Sequence, residues 1–498
     1  MRINHLLILS AAVASSSGYA QSARAQSITI AEQFTARAGW ALESDDSNLL
    51  ARAGCLEPLT RIDFDGTLQP SLATSWTQTS PTTWEFTLRE GVKFQDGQPL
   101  TPDAVSNALN NLLKVTTPAR AFSPKLIKSV EAIGNNTIRI TSHAPTVLLP
   151  YNVASPSTGI LSPAGYQNGR INPIGTCTGP FIVVRAAPRE GMTVKRNENY
   201  WGGRAALAGA EIRFIPDGNA RAVQARSGEA LISVAIPSSA LHSLGSGLQI
   251  ENIDSPRTAT LIINNKKPAL SDVKIRRAIQ AAIDTAGLAS VVYAGAAQPA
   301  VGPFGPKEPW APKEAKVVKY DPAYAKELLK QAGIQDGALK LSLLAYNERG
   351  EFKDVAAVIQ AQLREVGIPV DVRVAEYAAL EPRMLSGDFD IALLSRNHLY
   401  DIADPFGFLA SDYTCAGSYN LSHYCNKDVD AKVAKAGASV DIPDRHSVYA
   451  DIARRLQDEA VNVFLVHEQA IDAVSKKVAN YRPHLHDSYL LTKDVALR

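Results

Sequence analysis

Side chains that can bind ions, carry protons or coordinate metals are concentrated in one short segment of the chain. Arg396, His398, Tyr400, Asp401 and Asp404 lie within a few residues of one another. Arginine and histidine donate hydrogen bonds to anions, and aspartate accepts them from amines or binds cations. This composition is compatible with a catalytic centre, a metal site or the wall of a ligand pocket.

The catalytic and metal alternatives find little support elsewhere in the sequence. The chain contains no G-x-S-x-G, no Gly-Lys dipeptide, no H-E-x-x-H and no C-x-x-C. Cys415, His423 and Cys425 follow the polar segment, but their spacing, C-x7-H-x-C, matches no common zinc pattern. These absences remove the strong signals for an enzyme but do not by themselves exclude one; we predict no metal, no cofactor and no enzymatic activity.

The N-terminus has the features of an export signal. Arg2 is followed by the apolar run Leu6–Ala14, and Ala23 and Ala25 form an A-x-A cleavage site. We predict a signal peptide over residues 1–25, cleaved near Ala25, and a periplasmic location for the mature protein. No later segment has eighteen unbroken apolar residues, so no transmembrane helix is expected.

The charge balance argues against polyanionic partners. Loss of Arg2 and Arg24 with the signal peptide would leave 49 basic residues against 49 acidic ones. Binding to nucleic acid or to an anionic membrane surface generally requires a basic excess. We expect neither as the main partner.

Four cysteines, at positions 55, 177, 415 and 425, are expected to form disulfides once exported. Four cysteines allow three pairings, and the sequence leaves all three open. The pair Cys415–Cys425 would close the most local loop.

The elements that must position these side chains alternate between strands and helices. Trp84, Phe86 and Leu88 recur with the period of a half-buried strand, and Thr101 then caps a predicted helix. In the second half, a strand over 340–345, a helix over 355–366 and a strand over 369–374 precede the buried strand FDIALLS. This alternation predicts α/β lobes, with the polar segment at the end of a buried strand.

Several stretches of the sequence resemble one protein family. They are the run from Glu57 to Val105, PIGTCTGPFIV, NENYWGGRAAL, and IINNKKPALSDVKIRRAIQAAID. In these stretches the chain resembles the extracellular solute-binding proteins of ABC importers, family 5, the peptide/nickel class, and is similar to dipeptide-binding proteins. The similarity extends from about residue 28 to the end of the chain.

The resemblance implies a periplasmic-binding-protein type II fold. Two α/β lobes are joined by a hinge, with the ligand enclosed between them. Lobe I is expected over 26–264 and 476–498, with an inserted subdomain at about 60–172, and lobe II over 265–475. The implied partners are the ligand and the ABC transporter permease subunits in the inner membrane, and we expect a monomer.

The resemblance also suggests ligand-binding residues, beginning with the loop after the strand over 340–345. This loop contains Tyr346, Asn347 and Arg349. In dipeptide-binding relatives a basic residue of this loop holds the ligand carboxylate, and Arg349 matches it. The planar guanidinium suits a carboxylate because it can donate two parallel hydrogen bonds.

The polar segment is the second candidate. Asp404-Pro405 matches the position of an aspartate that binds the ligand's amino group in peptide-binding relatives. The tryptophan that those relatives carry is replaced here by SRNHLY, a departure that weakens the assignment to peptides. Arg396, Asn397, His398 and Tyr400 would add hydrogen-bond donors suited to a more anionic ligand.

Two further places complete the predicted site. Ser418, Tyr419 and Asn420 lie in GSYN, which resembles a G-G-S-N-Y segment flanked by cysteines in peptide-binding relatives, so the resemblance favours a Cys415–Cys425 disulfide. Trp40, after the first strand, could stack on the ligand.

The resemblance implies capture of a small polar solute, a short peptide or an amino-acid-like conjugate, and its delivery to the membrane permease. Alternatives are a metal chelate or metallophore, an opine or an oligosaccharide. Nickel-binding relatives use an arginine in the region that aligns with residues 154–159, where this chain has none. An exported hydrolase or a sensor on the same fold is a less favoured function.

Overall fold

The computed structural model describes residues 26–119, 121–167, 169–347, 349–399 and 402–498. The predicted signal peptide and the candidate residue Tyr400 lie outside them.

The strands are β1 Ser27–Glu32, β2 Thr60–Ile62, β3 Leu68–Pro70, β4 Ala73–Ser80, β5 Thr83–Leu88, β6 Ile127–Ile133, β7 Thr137–Ser142, β8 Tyr166–Gln167, β9 Arg170–Ile171, β10 Phe181–Ala187, β11 Gly191–Arg196, β12 Gly209–Phe214, β13 Ile232–Ser233, β14 Leu248–Ile263, β15 Ala297–Pro299, β16 Leu341–Tyr346, β17 Val370–Ala375, β18 Ile391–Asn397, β19 Asn462–Ser475, β20 Val478–Ala479 and β21 Ala496–Leu497.

The helices carry most of the remaining regular structure. They are α1 Asp46–Arg52, α2 Pro102–Leu112, α3 Leu149–Asn152, α4 Gly218–Ser227, α5 Val273–Ala281, α6 Thr285–Gly287, α7 Pro322–Gln331, α8 Phe352–Glu365, α9 Tyr377–Ser386, α10 Phe406–Tyr413, α11 Lys427–Ala438 and α12 Ile442–Asp458. Within the described ranges, no helix is both long and apolar enough to cross a membrane.

One continuous sheet joins the two lobes. Among the described residues its eleven strands follow the order β10-β11-β12-β1-β13-β19-β14-β18-β16-β17, and β15 pairs with β19. The strands from β10 to β13 belong to lobe I, and β18, β16 and β17 belong to lobe II. Separate hydrophobic cores cover the two ends of the sheet, one including Ile30 and Phe181 and the other Ile359 and Ile391.

The long strands β14 and β19 connect the lobes side by side. Residues 248–254 of β14 pair with 469–475 of β19 on the lobe I side, and 258–262 pair with 462–467 on the lobe II side. The register breaks between Asp254 and Thr258, which places Pro256 and Arg257 where the chain passes between lobes. The predicted lobe boundaries, at 264/265 and 475/476, remain a prediction. The register break in β14 lies before the 264/265 boundary.

A smaller antiparallel sheet lies within the range predicted for an inserted subdomain. Its order is β4-β5-β7-β6, and α2 packs against β6 and β7. Helix α2 begins as the sequence predicts, because Thr101 Oγ1 accepts a hydrogen bond from Ala104 N at 3.2 Å and a proline occupies the first turn. Val105, Leu109 and Leu112 form its buried face.

Both predicted disulfides are present, and the structure selects one of the three open pairings. Cys55 is bonded to Cys177 and Cys415 to Cys425, with Cα–Cα distances of 5.5 and 4.4 Å. The first bond encloses the small antiparallel sheet, and the second closes a loop that contains Ser418–Asn420.

The two disulfides are expected to differ in their effect on stability. Loop closure in the unfolded chain predicts that loss of Cys55–Cys177 by double serine substitution lowers the free energy of unfolding by about 5 kcal/mol, and loss of Cys415–Cys425 by about 3 kcal/mol. Denaturant titration of the two double variants measures this difference. Equal losses, or the reverse order, would contradict the loop-closure argument.

A buried carboxyl group within the lobe-connecting strand β19 should make stability depend on pH. Asp472 accepts hydrogen bonds from Ala235 N at 2.9 Å and from the Tyr481 hydroxyl at 2.6 Å. Burial raises the pKa of Asp472 from 3.8 to about 6. The folded protein therefore holds this proton more tightly than the unfolded chain, and its ionisation lowers stability as the pH rises from about 4 to about 6.

Replacement of Asp472 by asparagine is expected to remove this dependence. Relative to the wild type, the variant should gain about 3 kcal/mol in free energy of unfolding between pH 4 and pH 7. Urea titrations of both proteins across this range measure the difference. A difference that does not change with pH would show that Asp472 keeps an ordinary pKa in the fold.

Candidate ligand-binding cleft

The cleft lies at the carboxyl ends of two lobe II strands. Strand β16 runs parallel to β18, so the residues that follow Tyr346 and Asn397 meet at one edge of the sheet. Ligands commonly bind at this edge in open α/β sheets. Ser395 N donates a hydrogen bond to the Tyr346 hydroxyl at 3.2 Å, which ties the two strand ends together.

A cavity of about 430 Å³ opens between the lobes at this edge. Lobe I contributes the loop after β1, residues 151–156 and residues 486–488. Lobe II contributes Arg257, Asn397, Leu399, Ile402 and Ala403. Side chains of both lobes touch beside the cavity, where Tyr151 packs with Ala403. The structure therefore shows the lobes in contact beside this cavity.

Arg257 is a partly buried guanidinium in this cavity, whereas Arg37, which also lines it, is exposed to solvent on the lobe I loop. Arg257 Nη1 donates to the Ser395 carbonyl oxygen at 3.0 Å. Among the residues that the structure describes, no carboxylate oxygen lies within ion-pair distance of the guanidinium. Burial, followed by the positive charge of Arg349, lowers the pKa of Arg257. An anion that enters the cavity would supply the missing partner.

Arg257 is the residue that the sequence analysis missed. It lies next to Pro256 and directly before the apolar strand run TATLII. An arginine next to a proline, directly before a buried apolar run, was the signal in the sequence that could have pointed to this residue. Only the register break between the lobes shows that the side chain enters the cleft.

The lobe I wall is organised by carboxylates. Asp46 accepts hydrogen bonds at 2.9 Å from the backbone N–H groups of Arg37, Ala38 and Trp40, which fixes the loop after β1. Asp45 and Asp487 also line the cavity. Asp487 is paired with Arg52, and Arg37 lines the same wall, so the lobe I side presents charged groups of both signs.

Arg52 also lines the cavity, but its charge is already paired. Its guanidinium binds Glu32 Oε2 at 2.8 Å and Asp487 Oδ1 at 3.1 Å. Two carboxylates hold this guanidinium in place. Arg52 is therefore part of the wall, in contrast to Arg257.

Arg349, predicted to bind a carboxylate, pairs with carboxylates of the protein. Its Nη1 lies 2.7 Å from Glu468 Oε2 and 3.4 Å from Glu351 Oε1. Burial alone would lower the pKa of Arg349, but Glu468, Tyr346, Glu351 and Tyr293 together outweigh it and the pKa is raised. Glu468 also accepts from Ser395 Oγ at 2.6 Å, and Ser395 binds Arg257. Arg349 thus helps to position Arg257 through Glu468 and Ser395, and its direct contact with ligand remains a prediction.

Arg396 and Tyr419, two other predicted residues, are in contact with each other. The Arg396 guanidinium binds both oxygens of Asp412, at 2.8 and 2.9 Å, and lies 4.5 Å from the centre of the Tyr419 ring. The Tyr419 hydroxyl contacts that of Tyr377. Asn420 Nδ2 donates to the carbonyl oxygens of Thr414 and Tyr424, so its amide shapes the loop closed by the second disulfide.

His398 and Asp404 are buried in lobe II. His398 Nε2 lies 2.6 Å from Glu308 Oε2. Asp404 accepts hydrogen bonds from Arg445 Nη2 at 2.6 Å and from the Tyr449 hydroxyl at 2.7 Å. Both oxygens of Asp404 therefore have partners within lobe II, and its role as an amine partner remains a prediction.

The remaining predicted residues are dispersed. Trp40 is buried in the lobe I core, with its ring centre 6.3 Å from that of Phe214. Asn347 is exposed beyond β16, and Ser418 borders a separate surface depression near the second disulfide. Asn397 is the predicted residue that lines the interlobe cavity directly. Within the described part of the chain, no group of three His, Cys, Asp or Glu side chains is placed to hold a metal ion.

A model of the family described as bacterial extracellular solute-binding proteins, family 5 Middle, matches residues 67–420. The chain belongs to this family. Nickel-binding protein NikA of Staphylococcus aureus is 26% identical over 454 residues, which cover 90% of each chain. Di/tripeptide-binding protein 2 of Pseudomonas aeruginosa is 27% identical over 452 residues, 84% of each chain.

Solved structures of this family have the same fold. The crystal structure of the nickel ABC transporter from Bacillus halodurans aligns with a TM-score of 0.83 at 25% identity, covering 95% of this chain and 100% of that one. The predicted family, the two-lobed α/β fold of type II periplasmic binding proteins and the solute-binding role in an ABC importer are thereby confirmed. An exported location for this family 5 protein is also supported.

Proposed function

We propose that this family 5 protein captures a small carboxylate-bearing solute, a short peptide or an amino-acid-like conjugate, between its lobes. It does so in the periplasm, as a monomer released from its signal peptide near Ala25, and delivers the solute to the permease subunits of an ABC importer. The observation that carries the proposal is Arg257, a guanidinium in the interlobe cavity with no carboxylate partner among the described residues.

The cavity walls favour a ligand that bears charges of both signs. Arg257 lies on the lobe II side, while Arg37, Asp45 and the Arg52–Asp487 ion pair line the lobe I side. A zwitterion that binds across this gap contacts both lobes at once, and contacts with both lobes are what stabilise a closed form. The di/tripeptide-binding relative from Pseudomonas aeruginosa is consistent with this solute class.

A metal chelate is the second candidate. The relative from Staphylococcus aureus is named as a nickel-binding protein. A chelator with free carboxylates would present to Arg257 the same anionic group as a peptide C-terminus does. The two candidates differ in whether metal accompanies the bound organic anion.

Identification of the bound solute tests the proposal. The protein is purified after export, denatured, and the released small molecules and metals are measured by mass spectrometry. The recovered solute is then added back during small-angle scattering and thermal unfolding. We expect a carboxylate-bearing solute, a more compact monomer and, at 100 times the dissociation constant, about 2.7 kcal/mol of added stability. A neutral solute, or binding without compaction, would overturn the proposal.

A further inference from the structure

A second and larger chamber adjoins the first between the lobes. Its volume is about 820 Å³, and Tyr151, Ala403 and His486 line both spaces. The subdomain side of the chamber contains Trp76 and Trp84, and the lobe II side contains Trp310. The volume of the first chamber alone is typical of a small-molecule site. The combined volume of the two chambers is larger than that of a typical small-molecule site.

The lobe II rim of this chamber exposes large apolar side chains. Val440 is 68% exposed and Ile442, at the start of α12, is 44% exposed, and both line the chamber. Exposed apolar patches that border a groove commonly mark binding surfaces, because their burial removes apolar area from water. These side chains and the tryptophans of lobe I line the same chamber.

The acidic groups in this chamber already have partners. Asp254 Oδ2 lies 2.6 Å from Lys307 Nζ, Asp404 is bound by Arg445, and Asp65 accepts hydrogen bonds from Thr67. Glu308 accepts hydrogen bonds from His398 and Trp310.

The histidines that line the chamber add no positive charge at neutral pH. Burial lowers the pKa of His467 to about 4 and, with the neighbouring His484, that of His486 to about 3. Burial also lowers the pKa of His446 below its ordinary value. The chamber therefore offers aromatic and aliphatic surface next to a cavity that offers a guanidinium.

We propose that the solute has two parts, an anionic group that binds Arg257 and a bulky apolar body that extends past Tyr151 into the second chamber between Trp76 and Ile442. The solute class is thus an amphipathic organic carboxylate, such as a peptide or amino acid conjugate with a large aromatic or aliphatic group. This inference rests on the proposed function, because the anionic group that binds Arg257 is part of that proposal.

Two probes with the same carboxylate and different apolar bodies test the inference. N-acetylglycine and N-decanoylglycine are titrated by calorimetry into the full mature protein. We expect the decanoyl probe to bind at least 10-fold more tightly. Equal affinities, or no binding of the decanoyl probe, would overturn the inference.

The variant Ile442→Asp tests whether the second chamber is responsible. An acidic residue suits the first turn of α12, so the helix should form normally. We expect at least 10-fold weaker binding of N-decanoylglycine and unchanged binding of N-acetylglycine. Val291→Asp alters an exposed valine outside both chambers and should change neither affinity. If Ile442→Asp leaves both affinities unchanged, or weakens the binding of both probes equally, the apolar body lies elsewhere and the inference is overturned.

Arg257→Gln separates this inference from the proposed function. If the anionic anchor is correct, this variant weakens both probes to a similar extent. Arg257-dependent binding of both probes without any preference for the decanoyl probe would overturn the two-part solute alone. Binding that is independent of Arg257 would overturn the anionic anchor, and with it both proposals.

Discussion

The variant Arg257→Gln is expected to weaken binding of the carboxylate-bearing solute by about 100-fold, or about 3 kcal/mol. The wild-type guanidinium lines the cavity, and among the described residues only its Nη1 has a hydrogen-bond acceptor and none of its nitrogens has a carboxylate partner. A ligand carboxylate that pairs with it forms charge-assisted hydrogen bonds away from water, which are stronger than neutral ones. Glutamine keeps a donor but loses the charge.

The same variant has a second expected signature. Because burial and Arg349 disfavour the charged form of Arg257, removal of this charge should leave the unliganded protein at least as stable as the wild type. Calorimetric titration and thermal unfolding with and without solute measure both effects. Arg213→Gln, on a partly exposed arginine paired with Glu211 in β12, is the matched control. Loss of stability together with loss of binding would indicate that Arg257 holds the fold instead of the solute.

Loss of the Asp404–Arg445 pair, in contrast, should lower the stability of the unliganded protein. Both side chains are almost completely buried, and the Tyr449 hydroxyl binds the same carboxylate. Substitution of one partner leaves the other charge buried without compensation, so Asp404→Asn and Arg445→Met are each expected to lower the free energy of unfolding by about 3–5 kcal/mol. Denaturant titration measures the losses.

The double variant distinguishes a paired charge from a general packing defect. If the two groups stabilise each other, Asp404→Asn with Arg445→Met is less destabilised than the sum of the single variants, by about 2 kcal/mol. Asp404→Asn also tests the predicted amine contact. Normal stability with a large loss of affinity for a zwitterionic solute would favour the ligand role over the structural one.

The sequence predicts the architecture well because its signals are local. Thr101 and the proline after it start α2, and the alternating Trp84, Phe86 and Leu88 form β5. The family segments extend these signals to the two-lobed fold. The cysteines indicate disulfides, but pairing depends on which of them approach in three dimensions, and the structure was needed to select it.

The candidate site is harder to predict because its partners are distant in sequence. The polar segment does lie at the end of β18, as its position after a buried strand indicates. Arg396, His398 and Asp404 each bind a charged or titratable residue from 16 to 90 positions away. A buried charge requires a partner, but the sequence does not say whether that partner is the protein or a ligand. Arg257 is the opposite case, a charge without a carboxylate partner among the described residues, and only the folded structure reveals this.

The pairing of β14 with β19 along both lobes constrains how the molecule can report on its solute. Two separate linkers would allow the lobes to slide and twist independently, whereas a hydrogen-bonded ribbon permits mainly a bend at the interruption near Arg257. One angle then describes the motion. A pair of fluorophores, one on the exposed side of each lobe, should therefore give a single monotonic energy-transfer signal, which makes this scaffold suitable for a genetically encoded sensor of its solute.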